Sequence, residues 1–544
     1  MGTRGSGGPA RVACAIGLGL TAAVAVGGAG CGGEVAAPGP ALDVSTPWLL
    51  TLDSERRFEL TAHRVYEGTL RQEVLDETVL EPLFPSPSGR WLVYWTLPGR
   101  DGPRMKLRRV DAAGWSEPIA VTLAGGVTPG RGEWSPTREQ LLIQGFGLPS
   151  ERVRTGEVVV ARPRPDGSLA TVTLAAGEAA GGARWAPSGD RVVVTRSDGT
   201  GRARTTVFAV ADAPDLAVTG HEIVPPPGEV FEDIGSATPG ARSIAQGTVS
   251  PDGRWIAFVL RREHDGSRAI TAFSTTGEHS PRVLDGCVVS SALTSPGECT
   301  PYAWSGQGTL LVKRRAAGGG EELDAWTPAR GARASLGEVT PTIAETGPLG
   351  TLFVVKHEAS NARSIVDLAD PSAPVATRLV ETDLPSFRDA SGSPGGRWLL
   401  LRHVDEASNE GWIDAVDLHA GPGWRSREVF RGPAELARER TRWSSDERAF
   451  AIGVPAGDSR ERITRIHLAT GVATTFEVDW SYGERPDVEY LPRAPWSRVG
   501  PDDRTLAIAQ EGGLALWPMD RPRETAVKLD GVSASASVEW MPSR

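Results

Sequence analysis

Lysine is nearly absent from this 544-residue chain: Lys106, Lys313, Lys356 and Lys528 are the only four among 58 basic residues. With a net charge of −10 and no basic run interleaved with aromatics, a broad nucleic-acid surface is excluded. The arginine skew, beside abundant Ala and Gly, reads as GC-rich coding. Histidine is also sparse. The eight (63, 221, 264, 279, 357, 403, 419 and 467) are scattered, with no H-E-x-x-H and no close pair, so neither a metal nor a cofactor is expected. No G-x-S-x-G elbow, P-loop or EF-type calcium loop occurs, so a catalytic site is not expected and the chain reads as a non-enzyme. Paired carboxylates gathered from distant segments are the one catalytic arrangement that would leave no linear motif.

Long apolar runs are missing after residue 30, where nothing approaches the ~18 residues of a membrane helix. Residues 1–30 carry the exception. Arg4 and Arg11 form a positive start, and 12–30 is an uncharged stretch ending in "GAG" before Cys31. This segment resembles the lipobox of bacterial lipoproteins, whose cysteine is lipidated, although Gly28 stands where that family has an aliphatic residue. Residues 1–30 are therefore expected to be a signal peptide, Cys31 the lipidation site, and 31–46 a flexible tether. The membrane would be touched through that lipid only. A cleaved secretory signal without lipid is the alternative.

Only four cysteines are present, and Cys287 and Cys299 are the pair left for the mature body. In an oxidising compartment they are expected to form a disulfide, worth on the order of 3 kcal/mol by chain entropy. A zinc site is disfavoured because no histidine lies nearby.

What the chain has in abundance is turn chemistry, with 65 Gly and 42 Pro. "SPDGRWIAFVL" from Ser250 joins a type I turn to a strand without apolar/polar alternation. Trp255, Ala257 and Val259 should face one way and Ile256, Phe258 and Leu260 the other, so both faces of the sheet need covering. Similar units begin at Ser86, Trp134, Trp185, Trp304, Ser393, Trp443 and Gly500, with a degenerate one at Gly347 and a truncated "VEWMPSR" at the end. They recur about every 50 residues, the period of a four-stranded propeller blade. Trp precedes the turn at 134, 185, 304, 443 and 540, and follows it at 91, 255 and 398. The two slots are expected to face each other across the hairpin as a cross-strand pair holding one indole.

These units resemble the PD-type, WD40-like repeats of TolB-like propellers, found also in the propeller domains of prolyl-oligopeptidase-type proteases. The resemblance covers residues 47–544 and implies an all-β propeller of four-stranded antiparallel blades. About ten modules are counted, in one large ring or two smaller ones. A terminal strand without followers and an initial segment without a turn are expected to pair and close the architecture. Because the family includes scaffolds, receptors and accessory domains, the resemblance implies no single activity.

Three connections between modules are long: 220–243, 285–301 and 480–498. All should project from the edge opposite the recurring turns. Phe231, Glu232, Trp480, Tyr482, Arg485, Tyr490 and Trp496 are the amphipathic and aromatic residues expected to bind a partner there. The expected function is an exported binding or assembly module at the bacterial cell envelope, with an envelope protein as partner. The alternative is an envelope enzyme acting on glycans, with acidic residues around the propeller centre.

Overall fold

Ten sheets, antiparallel except for one short parallel pair, account for nearly all regular structure in the computed structural model. It describes residues 48–541 apart from 232–247, 480–497 and a set of shorter connecting stretches, among them 344–351, 369–374 and 519–526. Sheet 1 joins Ser537–Trp540 to Leu49–Asp53, Glu59–Tyr66 and Thr69–Asp76. In chain order sheets 2 to 10 then span 79–121, 128–178, 180–223, 229–283, 288–335, 339–380, 387–433, 441–479 and 498–529. Seven are four-stranded, and sheets 2, 5 and 6 carry a fifth short strand. The architecture is all-β and consistent with a propeller. No helix among the described residues is long and apolar enough to cross a membrane.

The strand that begins at Trp255 shows why these sheets must stack. Trp255, Ala257 and Val259 enter a cluster with Leu310, Val312 and Trp326 of sheet 6. Ile256, Phe258 and Leu260 enter another with Val193, Val207 and Ile223 of sheet 4. Both faces are covered, as the absence of alternation requires. Comparable clusters join sheets 1 and 2, 2 and 3, 3 and 4, 6 and 7, 7 and 8, and 8 and 9. Another joins sheet 10 to sheet 1, and Leu49 pairs with Trp540 in the strand ladder that ties the two chain ends together.

The recurring turn forms as its residues dictate. The Ser250 carbonyl accepts from Gly253 N at 2.8 Å, and Gly253 takes φ +69°, a region that favours glycine. Ser250 Oγ accepts from Trp255 N at 2.9 Å and so caps the hairpin entry. Neighbouring turns sit shoulder to shoulder. A Cβ on Gly253 would lie 2.6 Å from Ser188 Oγ of the preceding turn, so glycine answers both a conformational and a spatial demand there. In sheet 9 Glu447 occupies this slot at φ +55°, and its carboxylate accepts from Arg397 N of the sheet 8 turn at 3.3 Å.

The tryptophans correct the expected pairing. Val249 lies opposite Ile256, one residue beyond Trp255, so the two slots point to opposite faces of their own sheet. Indoles before the turn pack toward the preceding sheet: Trp134, Trp185, Trp304, Trp443 and Trp540. Indoles after it pack toward the following sheet: Trp91, Trp255 and Trp398. The slots therefore meet between sheets, with Trp255 and Trp304 at one junction and Trp91 and Trp134 at another. Sheet 1 carries both, Trp48 and Trp540, where one indole per hairpin was expected. Three indole N–H groups donate to the same point of the preceding sheet's first strand. Trp134 Nε1 reaches Phe84 O at 2.9 Å, Trp185 Nε1 reaches Glu133 O at 3.0 Å, and Trp304 Nε1 reaches Thr248 O at 2.9 Å.

Two of the expected long loops are partly strand. In 220–243, Glu229–Phe231 pairs with Leu260–Arg262, and Thr248–Val249 pairs with the same partner strand further along. The 232–247 segment thus interrupts the first strand of sheet 5. It does not merely precede it. In 285–301, Val288–Val289 runs parallel to Glu298–Cys299.

Because each such indole fills a junction and satisfies a buried donor, Trp304→Phe should lower stability by about 1–2 kcal/mol. Denaturant unfolding of the two proteins checks this, and a smaller loss would mean the Thr248 bond contributes little.

Candidate functional site

Cys287 and Cys299 are joined by a disulfide, Cα to Cα 5.6 Å, packed in the apolar cluster between sheets 5 and 6. Its role is structural. Phe231 is half-buried, its ring 4.5 Å from Phe258 and 6.3 Å from Phe273, so it caps the core and offers little free surface. Cys31, Glu232, Trp480, Tyr482, Arg485, Tyr490 and Trp496 lie outside the described residues. The strands that flank 480–497 are Ala473–Asp479, the fourth of sheet 9, and Arg498–Val499, the first of sheet 10. The connection therefore starts from the edge where fourth strands end, opposite the recurring turns.

At that same edge the structure assembles a group of residues that no motif announced. The backbone bond that closes each turn aligns the second strands of the sheets position by position. Three residues past the post-turn slot, the side chain facing the preceding sheet is Tyr94, Ile143, Val194, Phe258, Val312, Leu401 or Ile452 in sheets 2, 3, 4, 5, 6, 8 and 9. In sheet 1 it is Thr51, and two residues on stands Asp53. Both are buried. Register sets Leu49 opposite His63, Thr51 opposite Thr61 and Asp53 opposite Glu59. Beyond Leu49, one face of these two strands is thus polar while the other carries Leu50, Leu52, Leu60 and Ala62.

A cavity of about 110 Å³ opens on the polar face, lined by Thr51, Asp53, Glu59, Thr61, Gln72, Val74, Gly531 and Val532. Gly531 and Val532 follow the fourth strand of sheet 10, so the recess lies at the junction of the last sheet with the first. Thr61 Oγ1 donates to Glu59 Oε1 at 3.1 Å, and Thr51 Oγ1 lies 2.7 Å from His63 Nε2. His63 is completely buried, and its Nδ1 has no hydrogen-bond partner among the described residues. Burial lowers its pKa to about 4, so the imidazole is neutral at pH 7.

The polar group between sheets 1 and 2 is different, because it includes the cations Lys106 and Arg108. Tyr94 OH donates to Asp76 Oδ2 at 2.9 Å, Lys106 Nζ lies 2.7 Å from the same oxygen, and Arg108 Nε donates to Tyr94 OH at 3.2 Å. Desolvation raises the Tyr94 pKa above its usual value. The recess beside sheet 10 has carboxylates, hydroxyls and an amide but neither lysine nor arginine among its described lining residues. Such a lining offers hydrogen-bond acceptors. A sequence signal did exist: "LLTLD" and "ELTAH" alternate polar with apolar, whereas "WIAFVL" does not.

His63 binds a proton in the unfolded chain near pH 6.5 and in the folded chain only near pH 4. The unfolded state binds more protons between these values, so stability falls as pH drops from about 6.5 to 4. The contribution lost is on the order of 3 kcal/mol. Unfolding free energies at pH 7 and pH 4.5 should differ less for His63→Gln than for the wild type, and equal differences would refute this assignment.

No family model matches the chain, and no curated protein matches it in sequence. Solved structures do resemble it, at low similarity. A dihydro-heme d1 dehydrogenase, NirN, is 13% identical over 73% of this chain and 76% of its own, with a TM-score of 0.31. The periplasmic gluconolactonase PpgL of Pseudomonas aeruginosa is 16% identical over 71% and 96%, with a TM-score of 0.27. TolB of Acinetobacter baumannii is 11% identical over 72% and 80%, with a TM-score of 0.23. The expectation of a non-enzyme is overturned here, since a dehydrogenase, an oligogalacturonate lyase and a gluconolactonase stand among these structures. The absence of a linear motif from this chain does not argue against catalysis.

Proposed function

We propose that the chain is an exported, lipid-anchored β-propeller that binds a protein partner at the cell envelope, through the edge where its fourth strands end. The reading is carried by how the repeats use their bulky residues. All eight motif-borne tryptophans are taken up at sheet–sheet junctions. Recognition is then left to the connections that do not recur. Of these, 480–497 carries two tryptophans and two tyrosines among charged residues, a mixture favoured where proteins meet.

A single closed ring of ten blades is the arrangement we favour. It is supported by the pairing of Ser537–Trp540 with Leu49–Asp53, and by the apolar cluster joining sheet 10 to sheet 1. Strand Ala473–Asp479 of sheet 9 also approaches Thr505–Gln510 of sheet 10 within 8 Å, which continues the series. Export and anchoring are supported by the charged start, the apolar stretch and Cys31.

Deleting 481–496 should abolish capture of a specific protein from native envelope extracts and leave the melting temperature within about 2 °C. Unchanged capture would overturn the assignment of that edge. The anchor is tested separately. Mass spectrometry of the mature protein should find acyl chains on Cys31 and none in Cys31→Ala, and an unacylated wild-type N-terminus would exclude lipidation.

A further inference from the structure

Prolines stand side by side at one place in the chain, Pro225, Pro226 and Pro227, directly after Val224. Val218–Ile223 is the fourth strand of sheet 4 and Glu229–Phe231 belongs to sheet 5, so 224–228 bridges the two at the edge where fourth strands end. The conformation of the bridge is dictated locally. Each proline ring holds φ near about −65°, and a residue that precedes proline is pushed out of the helical region. Val224, Pro225 and Pro226 all precede a proline, so each is confined to β or polyproline-II geometry. Pro227 and Gly228 then form the centre of a type II turn, in which Glu229 N donates to Pro226 O at 3.0 Å and Gly228 takes φ +77°. Both ends are pinned. Ile223 is buried between sheets 4 and 5, and Glu263 N donates to Gly228 O at 2.8 Å.

A polyproline-II helix repeats every three residues, and the burial follows that period. Val224 and Pro227 are exposed, while Pro225 and Pro226 between them are half-buried. Val224 is 64% exposed, more than any other large apolar side chain among the described residues. Joining two sheets does not demand such a bridge. Sheet 1 passes to sheet 2 over Glu77 and Thr78 alone, and sheet 3 passes to sheet 4 over one residue. What the prolines add is stiffness: an apolar ridge is held outward with little conformational entropy left to lose on binding.

We infer that 224–227 is a docking segment for a protein partner whose groove is lined with aromatic side chains, tryptophan among them. Three successive residues without an N–H cannot pair with a partner's strand, which excludes strand addition. The flat proline rings and the exposed backbone carbonyls suit an aromatic groove, whose rings pack on the ridge and whose polar tips donate to the carbonyls. This assigns a partner chemistry to a part of the edge that does not involve the 480–497 connection.

Capture of proteins from native envelope extract by the immobilised full-length protein, with synthetic peptides as competitors, tests this. HEIVPPPGEVF reproduces 221–231, and HEIVAAAGEVF lacks only the prolines. The first carries its conformation with it, because that conformation comes from its own prolines. It should release a captured protein at least tenfold more effectively than the second. It should also shift the tryptophan emission of that purified protein, since the peptide itself has neither tryptophan nor tyrosine. Pro225→Ala combined with Pro226→Ala should lower capture at least tenfold and move the melting temperature by no more than about 4 °C. Val224→Ser should lower capture severalfold. The free peptides contain no part of 480–497, so a failure of that connection to bind leaves the competition readable. Release of no protein by the proline peptide, equal release by both peptides, or an unchanged tryptophan emission would overturn the inference. So would undiminished capture by the double variant, which would make the prolines a connector only.

Discussion

A strand that is apolar on both faces cannot rest in a sheet with one side in water, and most of this molecule follows from that constraint. Ile256, Phe258 and Leu260 need sheet 4 as much as Trp255, Ala257 and Val259 need sheet 6. Each fully buried side chain of this size contributes roughly 1.5–3 kcal/mol, so an uncovered face would forfeit much of the stability of a domain. Every sheet is thereby obliged to find neighbours on both sides. The tryptophans serve the same end, because an indole reaching back from one turn and an indole reaching forward from the previous one fill a junction together.

The first sheet is where this rule is relaxed. It is assembled from the two ends of the described chain, Leu49–Asp53 and Ser537–Trp540, and its backbone pairing closes a separation of nearly the whole sequence. Its face toward sheet 2 carries Leu50, Leu52, Leu60 and Ala62. Its face toward sheet 10 starts apolar at Leu49 and turns polar at Thr51, Asp53, Glu59 and Thr61. Leu49, Leu514, Leu516 and Leu529 carry the packing there, and the polar half is left for other work. The recess lies at the edge where fourth strands such as Ala473–Asp479 end.

Local chemistry was legible in the sequence. Ser250, Pro251 and Gly253 specify a turn whose hydrogen bonds lie within six residues, and the lack of alternation after Trp255 specified two covered faces. The direction of the indoles was not legible. It depends on whether position 249 lies opposite 255 or 256, and a shift of one residue in a strand reverses the face. The boundary of the 220–243 segment was misplaced for a related reason. Glu229–Phe231 has no apolar run of its own and becomes a strand only by pairing with Leu260–Arg262. Phe231 looked like a surface aromatic, but Phe258 and Phe273 claim its ring.

By itself the sequence determined the repeating hairpin, the all-β class, the need for stacking and the availability of Cys287 and Cys299 for a disulfide, because each is written in residues close together in the chain or in composition. Only the tertiary structure decided which junction each tryptophan fills, where the first strand of sheet 5 is interrupted, and that Thr51, Asp53, Glu59 and Thr61 share a recess with Gly531 and Val532. Those outcomes turn on register and on contacts between segments as far apart in the chain as Thr51 and Val532, and no local pattern encodes either.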